Sequence, residues 1–305
     1  MRHLLTAALA ALMAATFFFV HDWAFITLSG PHLGGWSVTA LIALIAMVGT
    51  GLLLGVLVSA RNISPLASAL PGVVLLGWSA LLIFGPSKVY KVSSPAPGVL
   101  GAGFSQVLLY GVAAVLGAAM IGPALVPSRW RRGNGDGAPA TAARAAGRAR
   151  VSGSIVFAAA VAVVLFFADG WAIQTITGRV APGEGLVSAH NVAAFGLLAA
   201  TGLLLGALLA LQRVSPLAGG LPGVVLIAWS ALAAFDHGDA LRLVPLQHHS
   251  FGQGFTDMLL EGLAAVLGAV LIAPLLIPLA SRLRWRGAAS EAVQAGDPSA
   301  AEVTG

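Results

Sequence analysis

The sequence predicts an all-α, polytopic helical membrane protein with eight transmembrane helices in two parallel four-helix repeats. Three observations carry this: the composition, the spacing of the apolar runs, and an internal repeat. Of 305 residues, 58% are hydrophobic and only 9% charged, and the mean hydropathy is +0.92. A soluble globule must clothe itself in charge, and this chain has too little. A bilayer core of about 30 Å takes roughly 20 apolar residues as a helix. Eight stretches qualify, at about 4–25, 37–59, 66–84, 104–126, 152–173, 187–210, 217–235 and 255–278.

The repeat is read from matched segments. Thr50-Gly-Leu-Leu-Leu-Gly55 recurs as Thr201-Gly-Leu-Leu-Leu-Gly206, and Leu70-Pro-Gly-Val-Val-Leu75 as Leu221-Pro-Gly-Val-Val-Leu226. Trp78-Ser-Ala-Leu81 recurs as Trp229-Ser-Ala-Leu232, and Ala113-Ala-Val-Leu-Gly117 as Ala264-Ala-Val-Leu-Gly268. Every pair lies 151 residues apart, as 50 and 201 do. Chance does not hold one register over four spans. Each half has an even number of spans, so both enter the membrane in the same direction and are expected as parallel repeats about an axis along the membrane normal. The boundaries follow: a first repeat at 1–128, a basic flexible linker at 129–150, a second repeat at 151–286, and a disordered tail at 287–305 rich in Ala, Ser, Glu and Gly.

Taken in order, the first stretch follows Arg2 and His3 as a signal peptide would, and cleavage after an Ala is the alternative. Its core runs on through Phe17, Phe18 and Phe19, and a related segment recurs mid-chain, so it is read as a retained span. The second and sixth stretches carry Gly51, Gly55 and Gly202, Gly206, each pair leaving one helix face without side chains for close packing. The third and seventh open with Ser64-Pro65 and Ser215-Pro216, suited to a helix cap and first turn. Pro71-Gly72 and Pro222-Gly223 then fall inside these helices and remove the partners of the Ala67 and Ala218 carbonyls. Matched interruptions of this kind point to transporter binding sites, and the plainer reading is a kink packed on a neighbour.

Lys and Arg set the orientation. Arg2, Arg61, Arg129, Arg131, Arg132, Arg144, Arg148, Arg150, Arg213, Arg282, Arg284 and Arg286 fall on one side, and Lys88, Lys91, Arg179 and Arg242 on the other. This places both termini in the cytoplasm. The excess of Arg over Lys, with abundant Ala and Gly, fits a GC-rich bacterial genome and hence a bacterial inner membrane.

The net charge of +5 does not mark a nucleic-acid binder, because the basic residues sit in short patches between spans. Cys is absent, which removes thiolate metal sites and cysteine nucleophiles. No phosphate loop, nucleophile elbow or dinucleotide fingerprint occurs in the right context, so an enzyme is disfavoured and no cofactor is expected. Ionisable residues within spans cost roughly 2.5–3.5 kcal/mol at mid-helix and draw attention where they occur. Asp257 and Glu261 stand four residues apart on the last span, where a continuous helix puts them on one face and Glu261 about 9 Å below the outer end. With Asp169, His190, His237, His248 and His249 they are candidates for an outer proton or metal cluster, although no recognised ligand spacing occurs. Two functions are expected from this. One is a non-catalytic membrane component or scaffold, whose partners are the bilayer and another membrane protein. The other is a small-solute, ion or proton transporter or channel, with its site at the Pro-Gly helices or the outer cluster.

Overall fold

The computed structural model describes residues 8, 12, 17, 20, 21, 23, 24, 26–28, 37–59, 66–85, 88–89, 108, 110–125, 140–177, 188–211, 216–246 and 248–276. The expectations for Ser64, Pro65, Ser215, the connector at 129–139 and the tail at 287–305 lie outside the described residues. The described positions between Ala8 and Leu28 are helical. Then come α1 (Val38–Ser59), α2 (Leu66–Phe84), α3 (Val112–Leu125) and α4 (Ala140–Val164). A π turn at Leu165–Asp169 leads into α5 (Gly170–Thr177), followed by α6 (Ala189–Leu211), α7 (Pro216–Phe235), the short α8 (His237–Arg242) and α9 (Ser250–Leu260). The last described helix is α10 (Leu263–Leu276). No strand occurs among the described residues.

Four helices are each long and apolar enough to cross a membrane: Val38–Ser59, Val151–Thr177, Ala189–Leu211 and Ala218–Phe235. A fifth candidate is the bent pair formed by α9 and α10, while Ala69–Phe84 and Val112–Pro123 are shorter apolar helices. Their outer faces are apolar as well. Ile45, Val56, Val156, Val163, Leu221 and Val224 are all exposed, a pattern that suits lipid rather than water.

The centre belongs to α3 and α10. Residues 111–120 and 261–271 are buried without exception, which is the signature of a helix surrounded on every side. Small side chains allow this. Ala113, Ala114, Gly117, Ala118 and Ala119 on α3 match Ala264, Ala265, Gly268, Ala269 and Val270 on α10. Without a hydrophobic drive between helices in lipid, such residues let backbones approach and gain dispersion contacts.

The glycine pairs of α1 and α6 do not meet each other, nor a helix of their own half. A Cβ on Gly51 would lie 2.5 Å from Val266 O and 2.7 Å from the Ala269 Cβ, and one on Gly55 2.8 Å from Val270 O. On α6, a Cβ on Gly202 would press on Val115 O and the Ala118 Cβ, and one on Gly206 would lie 2.7 Å from Ala119 O. Thus α1 seats on α10 and α6 seats on α3. The partners in these contacts are separated by the same 151 residues as the glycines, as Val115 and Val266 are.

Pro71 and Pro222 do not interrupt their helices. Both α2 and α7 run through them. Each proline lies near its helix start and withdraws a single bond, from Ala67 or Ala218, so the Leu- and Val-rich remainder carries the helix on. Gly72 and Gly223 beside them are contact points. A Cβ on Gly72 would lie 2.7 Å from Gly117 O, and one on Gly223 2.8 Å from Gly268 O. The basic connector is also shorter than expected, since 140–150 is helical and continuous with α4. Its Ala and Arg are strong helix formers.

The eighth apolar stretch is not one helix. It breaks between α9 and α10, with a bend of 72°. Gly262 adopts φ +70° at the break, and Gly111 adopts φ +68° where α3 begins. Only glycine takes that conformation without strain. In both cases the chain turns through a tight bond (Gly111 N–H to Leu108 O, Gly262 N–H to Leu259 O) and the helix then restarts.

Candidate functional site

The two helix breaks bring the molecule's buried polar groups into play. Tyr110 precedes Gly111 and Glu261 precedes Gly262, so each glycine turn carries one polar side chain just before it. The two meet: the Tyr110 hydroxyl donates a hydrogen bond to the Glu261 carboxylate. Glu261 is 8% exposed, and Tyr110 is half-buried. Asp257, one turn earlier on α9, stands within electrostatic reach of both, and its Oδ2 accepts from Gln174 Nε2 on α5 at a long 3.5 Å. A carboxylate held by a phenol, with a second carboxylate nearby, can take up and pass on a proton or hold a small cation.

A second buried carboxylate lies at the end of the π turn. Asp169 is 1% exposed. Its Oδ1 sits 2.6 Å from Thr201 Oγ1 on α6, and its Oδ2 has no hydrogen-bond partner among the described residues. Thr201 Oγ1 also stands 2.9 Å from Leu198 O, yet a hydroxyl has one proton to give. Thr50, the matching residue on α1, spends its proton on Met47 O at 2.9 Å. The Asp169–Thr201 contact therefore survives either way, with the threonine donating to a carboxylate or a protonated carboxyl donating to the threonine. A π turn widens the helix and recurs at functional sites. Gly170 and Gly254 hold this end of α5 against α9, because a Cβ on either would collide with the other helix's backbone.

Among the described residues no three of His, Asp and Glu stand close enough to share a metal ion. His248 and His249 are exposed in the α8–α9 turn, and His190 is exposed at the start of α6. His237 opens α8, and its side chain lies outside the described ones. The loop charges serve the loop itself: Asp236 Oδ1 caps α8 by accepting from Asp239 N–H at 3.1 Å, and Asp239 pairs with Arg242 at 3.1 Å. Asp257 and Glu261 stay one turn apart at the end of α9, where Glu261 N–H bonds Asp257 O at 3.0 Å, and Glu261 turns toward Tyr110.

Sequence reasoning passed over Tyr110, Thr201, Gln174 and His21 as site residues. His21 is 2% exposed, stacked on Phe17 at 5.2 Å, with its Nδ1 unpartnered among the described residues. The available signal for Tyr110 was its place in the repeat, since 110 and 261 are again 151 apart and each precedes a glycine. The chain matches no protein family, no curated protein and no solved structure.

Proposed function

We propose that this chain is an eight-span bacterial inner-membrane protein, built as two parallel four-span repeats with both termini cytoplasmic, that carries protons or a small cation through its buried carboxylates. The observation that carries the reading is the Tyr110–Glu261 pair at two matched helix breaks. Broken helices at corresponding places in two halves are where secondary transporters hold ions. Acids inside a membrane are retained at a cost that function explains most directly. The reciprocal seating of α1 on α10 and α6 on α3 supports a twofold relation between the halves, with Tyr110 and Glu261 near the axis. The bias of Arg toward one set of loops supports the orientation.

The test is flux. Liposomes holding the purified protein and a trapped pH indicator are given a potassium-diffusion potential. Wild-type protein should dissipate the imposed gradient, and Glu261→Gln and Asp169→Asn should not, while both variants remain monodisperse. Wild-type rates equal to those of empty liposomes, with protons, Na⁺ and K⁺ each tried, would sink the reading. The second reading, a non-catalytic component that meets another membrane protein, is favoured by the almost wholly apolar interior of α3 and α10. It predicts no flux and a stoichiometric membrane partner after mild crosslinking.

A further inference from the structure

The second half forms a partly open cavity of about 150 Å³ between α4, α6, α7, α9 and α10. Its wall includes Ala158, Phe166, Leu208, Pro222, Trp229 and Met258. We infer that it holds the end of a lipid acyl chain drawn from the surrounding bilayer. The inference rests on the membrane reading of these helices and is independent of ion movement.

Three features select a hydrocarbon guest. The lining residues are all apolar or aromatic, and the Trp229 indole N–H is already spent on Ala240 O at 3.2 Å. Water needs two to four polar partners, and a dry apolar void of about this size takes up benzene or xenon in another protein. The wall is also thin toward lipid. Within the most apolar 18 residues of the Val151–Thr177 span only 22% are buried, and Val163, Val164 and Phe167 beside the cavity face outward. Finally, the π turn at Leu165–Asp169 loosens α4 where Leu165 and Phe166 line the space. Rings line the wall together, with Phe255 5.0 Å from Phe166 and 5.2 Å from Trp229. The only abundant molecules of that chemistry in reach are the chains of the bilayer itself.

Bromine on lipid chains quenches nearby indoles, and the difference between wild type and Trp229→Phe isolates this tryptophan from the other six. In liposomes of phosphatidylcholine brominated along its chains, the Trp229 emission should be quenched. Ala158→Leu and Ala162→Leu, which fill the space, should lose most of that quenching and melt higher in detergent. Leu208→Ala, which enlarges it, should gain quenching and so keeps the test open if the filled variants fail to fold. Equal quenching in filled, wild-type and enlarged proteins would mean bulk lipid on the outer face and overturn the proposal. Absence of quenching in wild type would do the same, and protection by benzene alone would identify a compact guest instead of a chain.

Discussion

Thr201 stands between two acceptors with one proton, and that shortage is what gives the Asp169 site its character. Removing the hydroxyl takes away the one partner that Asp169 has among the described residues in a buried setting, which costs about 1–3 kcal/mol. Thr201→Val should therefore lower the melting temperature in detergent clearly. Thr50→Val, whose hydroxyl bonds its own helix at Met47 O, should cost less than half as much. Equal losses would show that Asp169 draws nothing from Thr201. Tyr110→Phe is the matching experiment at the helix breaks. It strips Glu261 of the phenol and should destabilise by a similar amount, whereas Glu261→Gln keeps an acceptor for the hydroxyl and should be milder.

At the scale of elements, glycine decides where helices touch. Gly202→Ala would drive a Cβ into Val115 O and the Ala118 Cβ, and should destabilise by about 1–3 kcal/mol through overpacking. Gly196→Ala on the same helix meets nothing within 4 Å and should be neutral or stabilising by up to about 1 kcal/mol, since alanine suits a helix better. Thermal unfolding of the two variants side by side checks the contrast. The packing glycines at 51, 55, 202 and 206 were legible in the sequence, because their four-residue spacing has one physical meaning. Which helix they touch was not legible, since nothing in a spacing names the partner. The breaks at Gly111 and Gly262 were hidden for a related reason: a glycine within an apolar run looks the same whether its φ is negative or positive. Pro71 and Pro222 misled in the opposite sense. A proline near a helix start removes little, and the neighbouring Gly72 and Gly223 are where α2 and α7 meet the central helices. The outer histidines at 190, 248 and 249 are exposed, and among the described residues they join no group that could hold a metal ion.

The whole molecule is proposed as two copies of a four-helix unit that cross the lipid the same way and grip each other through their central helices. Reporter fusions should place the connector at 129–139 and the C-terminal end on the same, cytoplasmic side. Opposite sides would require an odd number of crossings in the second copy and dismantle the parallel arrangement. The most direct measurement uses the absence of native cysteine. A Tyr110→Cys/Glu261→Cys protein, carrying a protease site in the 129–139 connector, is treated in membranes with a short bifunctional thiol reagent and then cut. The account predicts that the two halves stay joined on a denaturing gel only when both cysteines are present, with Tyr110→Cys/His248→Cys as the unjoined control. Halves that separate fully, from a variant that is otherwise monodisperse, would contradict the meeting of the two helix breaks.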